Sequence, residues 1–143
     1  MFIGEYQHNL DSKGRIAIPV KFRREVGTSA IITKGLDRCL FVFETKAWEA
    51  LAQKLNALPF SQANPRAFNR FMLAGAMDAE VDKQGRILIS DYLRNYAGLK
   101  KQAIITGVYG RMEIWDIESW RQYKSKIESS SDEIAEKLGE LGI

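Results

Sequence analysis

The chain has 143 residues and a net charge of +3, with one cysteine and one histidine. This length suits one compact domain or two small halves that share a core. The lone cysteine excludes an intrachain disulfide framework, and no apolar run approaches the length that spans a membrane. The charge is uneven, because residues 127–143 carry a net −4 and the remainder carries +7. A basic body with an acidic tail indicates either a polyanion partner or an ordinary solvated surface.

The opening segment, residues 2–10, alternates loosely between polar and apolar side chains and predicts a strand. We expect it to pair with Arg15–Ile18 across a turn at Gly14. It contains His8, which has no second histidine or nearby cysteine and is therefore assigned a structural or surface role rather than metal binding. The chain shows no basic and then apolar secretory signal, so we expect a cytoplasmic protein.

A repeated box organises the chain: the segment 11–23 returns 71 residues later as 82–94, with its aspartate, glycine, isoleucines and both arginines in register. Aspartate accepts N–H bonds two residues on, and glycine supplies a positive φ, so each copy predicts a tight turn. A short apolar strand follows, then a short helix that begins near Pro19 or Ser90 and ends at a glycine. The predicted turn-forming residues are Asp11, Gly14, Asp82 and Gly85.

The remainder of each copy follows one plan of two strands and a helix. The first copy has strands near 30–35 and 39–43 and then a helix over Thr45–Asn56, capped by Thr45. Cys39 lies in an apolar run and is predicted to be a buried small hydrophobe. The resulting boundaries are a first module at 1–57, a connecting segment with a helix at 58–75, a second module at 76–128 and an acidic tail at 129–143.

Four basic residues at the two turns are the candidate functional residues: Lys13, Arg15, Lys83 and Arg86. A guanidinium beside a tight turn presents a flat set of donors suited to phosphate or to guanine O6 and N7. The alternative is that each arginine pairs with its own aspartate, Asp11 or Asp82, and only stabilises the turn. Burial of both arginines inward against these aspartates would contradict the DNA-binding role.

Four further arginines are predicted to have structural or surface roles. Arg23 and Arg94 end the short helices and are expected to bind the last helical carbonyls rather than extend the basic face. Arg66 and Arg70 lie one helical turn apart, and a solvated helix face is favoured over a groove. The sequence contains no phosphate-binding glycine loop and no nucleophile set that one histidine and one cysteine could complete. We therefore predict a protein that is not an enzyme, with no cofactor and no metal.

The chain resembles the MraZ family of bacterial cell-division and cell-wall regulators. The resemblance covers nearly the whole chain and lies in residues 1–6, both Asp-Xaa-Xaa-Gly-Arg boxes, Gly75-Ala76, residues 41–48 and residues 114–116. It implies an α+β fold in which two AbrB-type swapped-hairpin modules interleave into one small β-barrel with peripheral helices. The family's Asp-Xaa-Xaa-Xaa-Arg motif carries over to Asp11 and Arg15 and to Asp82 and Arg86.

The resemblance also implies a function: ring-shaped homo-oligomers that bind short direct repeats in double-stranded DNA, upstream of the division and cell-wall genes and of their own gene. Such a protein would be cytoplasmic and nucleoid-associated, with no membrane partner. Two-stranded hairpins are marginal alone, so the two copies should interlock and bury their isoleucines. The alternative function is a protein- or RNA-interaction module in which the Asp/Arg boxes are structural.

Overall fold

A computed structural model describes all 143 residues as an α+β fold. The strands are β1 (Phe2–Asn9), β2 (Arg15–Ala17), β3 (Ser29–Lys34), β4 (Leu40–Glu44), β5 (Met77–Glu80), β6 (Arg86–Leu88), β7 (Gln102–Tyr109) and β8 (Met112–Asp116). The helices are α1 (Val20–Val26), α2 (Thr45–Asn56), α3 (Ala63–Asn69), α4 (Asp91–Ala97), α5 (Ile117–Ser129) and α6 (Ser131–Lys137). A π-helical turn (Arg70–Ala74) continues α3, and a 3-10 turn (Leu138–Leu141) follows α6. None of the helices combines the length and the apolar character needed to cross a bilayer.

The main sheet has six antiparallel strands in the order β1-β7-β8-β4-β3-β5. The predicted pairing of β1 with Arg15–Ile18 is wrong, because β1 pairs along its whole length with β7 of the second copy, from Phe2 opposite Tyr109 to Asn9 opposite Gln102. In the same way β5 pairs with β3 of the first copy. The first strand of each copy therefore completes the hairpin of the other copy.

The expected closed barrel is not formed, because the six-stranded sheet is open, with β1 at one edge and β5 at the other. The chain leaves each edge strand through a tight turn and enters a separate two-stranded sheet, in which β2 pairs with β6. The two copies are thus joined a second time, by the pairing of β2 with β6.

The two-stranded sheet confirms that the copies interlock. Ile16 lies opposite Ile87, and the pairing continues reciprocally: the Ile18 N–H donates to the Gly85 carbonyl (2.8 Å), and the Ile89 N–H donates to the Gly14 carbonyl (2.9 Å). All four isoleucines are at most 2% exposed. Each turn glycine therefore accepts a hydrogen bond from the other copy, and neither turn is held by its own module alone.

Apolar side chains occupy both faces of the main sheet. The larger cluster lies between the sheet, the two-stranded sheet and helices α1 and α4, and includes Phe22, Leu93 and the four isoleucines. The smaller cluster, on the other face, contains Cys39, Phe41, Phe43, Leu55, Met72 and Trp115. Neighbouring residues such as Phe41 and Val42 point to opposite clusters, so the central strand β4 is buried on both sides.

Most predicted elements are confirmed, with two corrections at helix starts. Thr45 is the first residue of α2 rather than its cap, and no side chain caps that helix. Ser90 occupies the cap position of α4, but its hydroxyl makes no capping bond and is buried without a partner. The glycines Gly27 and Gly98 end α1 and α4 with positive φ, as predicted.

Candidate nucleic-acid interface

Both turns are built by the same aspartate contacts. In the first, Asp11 Oδ1 accepts the backbone N–H groups of Lys13 and Arg15 at 2.9 Å each, and its Oδ2 accepts Arg15 Nε at 2.7 Å. In the second, Asp82 accepts the equivalent bonds from Gln84 and Arg86, all at 2.9 Å. Each arginine is thus bound by its own aspartate through one edge of the guanidinium.

These contacts stabilise the ionised carboxylates. Donation from the Arg15 backbone N–H, and then from the Arg15 side chain and the Lys13 N–H, lowers the pKa of Asp11 to about 2, against a smaller opposing effect of desolvation. The pKa of Asp82 is lowered in the same way, first by the Arg86 backbone N–H. Both aspartates are therefore negatively charged at neutral pH, and the arginines carry the opposite charge beside them.

The structure brings Arg15 and Arg86 together on the outer face of the two-stranded sheet. Because Ile16 and Ile87 point into the core, their neighbours in β2 and β6 point outward. Arg86 Nη1 lies 3.7 Å from Asp11 Oδ2, the same oxygen that accepts Arg15 Nε. The arginine side chains remain 32% and 29% exposed, and neither Nη atom of Arg15 has a hydrogen-bond partner. Each arginine is thus clasped, meaning that its Nε is hydrogen-bonded to the aspartate of its own turn, but it is not buried in the core.

The two candidate lysines lie at the tips of the turns. Lys13 and Lys83 are both exposed, and neither ammonium group lies within 4.0 Å of a carboxylate. Their charge is therefore available to a ligand on the side where the two turns face solvent.

Two further arginines each contact the turn of the opposite copy, and we call them the crossed arginines. The sequence analysis did not predict these contacts. Arg23 of α1 donates from Nε to the Ile18 carbonyl at 2.9 Å, and its guanidinium covers Gly85 of the opposite turn so closely that a Cβ there would displace it. Arg94 of α4 covers Gly14, where a Cβ would come within 2.8 Å of the guanidinium carbon. Arg94 also pairs with Asp91.

The expected capping of last helical carbonyls by these arginines is therefore wrong, because the Ile18 carbonyl precedes α1 and Arg94 contacts the Asp91 side chain. A signal for the crossed contacts was present in the repeat itself. Each box contains a turn glycine and closes on an arginine, so the same two residue types recur in both copies.

The remaining candidates lie apart from the turns. Cys39 is fully buried, and burial raises the pKa of its thiol. Partial burial, and then the charge of Arg23, lower the pKa of His8. Arg66 is exposed and donates to the Phe60 carbonyl at 3.1 Å. No group of three or more His, Cys, Asp or Glu side chains is arranged to hold a metal ion.

Comparison with known proteins supplies a family. The sequence model described as "MraZ protein, putative antitoxin-like" matches residues 1–71 and again residues 72–140. The chain belongs to the MraZ family. Each matched MraZ segment contains one of the two aspartate-clasped turns, so the turns lie in separate family repeats.

Several curated MraZ proteins are similar to this chain over its full length. The Transcriptional regulator MraZ of Pelotomaculum thermopropionicum is 52% identical over 143 residues, covering 100% of this chain and 99% of that protein. That of Acetivibrio thermocellus is 52% identical over 143 residues, with both chains fully covered. That of Desulforamulus reducens is 50% identical over 141 residues, covering 99% of each chain.

Proposed function

We propose that this protein is a transcriptional regulator that binds short direct repeats in double-stranded DNA, upstream of the division and cell-wall gene cluster and of its own gene. The relatives named Transcriptional regulator MraZ support the regulatory role. The observation that carries the DNA-binding role is the pair Arg15 and Arg86, which lie side by side on the outer face of a two-stranded sheet.

A two-stranded ribbon fits the geometry of DNA. The major groove, about 12 Å wide, admits such a ribbon, and an arginine reads guanine there through O6 and N7. The aspartate of each turn accepts Nε and leaves the terminal nitrogens of Arg15 free to donate. The aspartates thus orient the arginines, while Lys13 and Lys83 at the turn tips contact phosphates. We propose that this interleaving is the AbrB-type swapped-hairpin arrangement.

Self-association would multiply these contacts. One chain offers two arginines, and pairs of this kind supply about 1–3 kcal/mol of discrimination each, so operator-level affinity requires several chains on repeated sites. The free edge strand β1 and the adjacent end of β7 expose Met1, Ile3, Val108 and Tyr109, an apolar surface that a second copy could cover. We propose a ring-shaped homo-oligomer, which light scattering coupled to size-exclusion chromatography would test.

Fluorescence anisotropy on the protein's own upstream DNA, against a scrambled duplex and over a salt series, tests the function. Binding should weaken steeply with salt. Arg15→Ala and Arg86→Ala should each abolish the preference for the repeat-bearing duplex. Arg24→Ala is the matched control, because Arg24 is exposed on α1 and makes no ion pair or side-chain hydrogen bond. Unaltered repeat preference in both turn variants would refute the proposal.

The clasped geometry favours a second candidate, a protein- or RNA-interaction module in which the arginines serve only the turns. Asp82→Asn separates the two functions, because it keeps Arg86 and an acceptor for the backbone N–H groups while removing the carboxylate charge. For a DNA reader, Asp82→Asn should retain much of the repeat preference that Arg86→Ala loses. Equal losses in both variants, accompanied by equal losses of stability, would favour the interaction module.

The proposed site of action is the nucleoid of the cytoplasm. A fluorescent fusion should colocalise with the nucleoid, and the Arg15→Ala and Arg86→Ala double variant should spread through the cell.

A further inference from the structure

An open hollow of about 580 Å³ lies beside the first turn. It is bordered by Asp11 and Ser12 of the turn, by Arg94 of α4, and by Lys100 and Lys101 from the loop between α4 and β7. Asp11 is the only carboxylate on this border, and its charge is balanced by Arg15 Nε at 2.7 Å and Arg86 Nη1 at 3.7 Å. The hollow therefore has a net positive lining.

Lys100 and Lys101 have no basic counterpart beside the second turn. The Leu10 N–H donates to the Lys101 carbonyl at 2.8 Å, and the Val81 N–H donates to the Thr28 carbonyl at 2.9 Å. Leu10 and Val81 are equivalent in the repeat, so Lys101 and Thr28 are equivalent too. The loop after Gly98 is two residues longer than the loop after Gly27, and the two additional residues are Leu99 and Lys100.

The side chains of Lys100 and Lys101 are both exposed, and neither forms an ion pair. Neither ammonium group lies within 4.0 Å of a carboxylate, although Asp116 and Glu118 border a neighbouring hollow that the lysines also line. Those carboxylates are engaged elsewhere: Asp116 accepts the Ser119 N–H at 3.2 Å, and Glu118 pairs with Arg121 at 2.8 Å. On the other side, Arg94 Nε is buried without an acceptor. The hollow beside the first turn is thus lined by two ammonium groups without a carboxylate partner and by Arg94, whose Nη2 pairs with Asp91.

We propose that Lys100 and Lys101, together with Ser12 and Arg94, bind a backbone phosphate of the DNA next to the first turn. This inference rests on the DNA binding proposed above and extends it, because it makes the two turns unequal. The first turn is held on the duplex by two more charges, whereas the second turn has the neutral Thr28 at the position equivalent to Lys101 and no residue equivalent to Lys100. Phosphate contacts position a protein on the duplex but do not depend on the base sequence of the DNA.

The double variant Lys100→Gln/Lys101→Gln tests the proposal by the salt dependence of anisotropy on both duplexes. Two lost phosphate contacts should lower the slope of log K against log salt by about 1.8. Affinity should fall by the same factor for repeat-bearing and scrambled DNA, so the preference stays unchanged. Lys54→Gln/Lys126→Gln is the matched control, because these exposed lysines lie on α2 and α5, which pack on the other face of the main sheet.

A gain-of-function variant provides an independent test. Thr28→Lys places a cation beside the second turn at the position equivalent to Lys101, and it should raise the slope by about 0.9, the value of one added phosphate contact. Because Thr28 is exposed and uses only its backbone carbonyl there, the fold should accept the change.

Four outcomes of these experiments would contradict the phosphate site or the proposed function. A slope change no larger than that of the Lys54 and Lys126 control overturns the phosphate site while leaving the proposed function intact. A loss confined to the repeat-bearing duplex would show base reading and would also overturn it. If the wild-type protein binds neither duplex, the proposed function itself fails. Thermal stabilisation by inorganic phosphate, lost in the double variant but without any DNA effect, would identify a free anion as the ligand and overturn the assignment to DNA.

Discussion

Asp11 and Asp82 accept the same three hydrogen bonds at 2.7–2.9 Å, yet the surroundings of their turns differ. Arg23, over the second turn, donates to a carbonyl, whereas Arg94, over the first, has a buried Nε without an acceptor and pairs with Asp91. The first turn adjoins two lysines, whereas the second adjoins Thr28. The bonds inside each turn come from its own box and are the same, whereas the neighbours come from the other copy and differ.

The largest expected effect is at the covered glycines. Gly85→Ala places a Cβ at φ +76° and into the Arg23 guanidinium. The left-handed backbone costs about 1–2 kcal/mol, and displacing a packed side chain adds about 1–3 kcal/mol. Urea unfolding should show both losses in Gly85→Ala but only the backbone cost in Gly98→Ala, where φ is +62° and no atom lies within 4 Å of the new Cβ. Equal losses would mean that Arg23 moves aside freely.

The second prediction compares how much each of the two crossed arginines, Arg23 and Arg94, contributes to stability. Arg23→Ala removes the side-chain donor of the Ile18 carbonyl in a half-buried site, and we expect a loss of about 1–3 kcal/mol. Arg94→Ala removes a guanidinium whose Nε has no acceptor, so its cost in urea unfolding should be smaller. A greater loss for Arg94→Ala would show that covering Gly14 matters more than the hydrogen bond at Ile18.

The third prediction concerns pH. The pKa of Asp11 is lowered to about 2 in the folded protein and is about 3.9 in an unfolded chain. The ionised carboxylate therefore stabilises the fold above about pH 4, and this contribution is lost as the pH falls toward about 2. Asp11→Asn should be less stable than wild type at pH 7, and the difference in the urea midpoint should shrink between pH 4 and pH 2. A constant difference would assign the effect to geometry alone.

The smallest effect is expected at the ion pair that only the second copy has. Asp91→Val gives α4 the residue that α1 has at the equivalent position, Val20. Asp91 is 87% exposed, so losing its pair with Arg94 should change stability by less than about 1 kcal/mol. Thermal unfolding of this variant against wild type measures the change, and a larger loss would mean that Asp91 positions Arg94 over Gly14.

The sequence predicted what depends on local chemistry. The Asp–Gly turns, the buried isoleucine strands and the helix-ending glycines follow from a few adjacent residues, and the structure confirms them. The partner of β1 was predicted wrongly, because sequence neighbours usually pair, whereas β1 pairs with a strand about a hundred residues away.

The site was predictable to the same extent. The alternative of an arginine clasped by its own aspartate follows from their spacing of four residues, and both clasps are present. The adjacency of Arg15 and Arg86, the crossed arginines and the lysine-lined hollow depend on how the copies interleave, which no local pattern specifies.

The pairing of β1 with β7 has a consequence for synthesis on the ribosome. Phe2 lies opposite Tyr109, so the first strand must wait for more than a hundred further residues before its partner exists. At roughly 5–20 residues per second, this delay is about 5–20 s. Throughout that time the backbone N–H and C=O groups of a nascent strand that carries Phe2 and Tyr6 have no partner strand, and such unpaired edges favour aggregation.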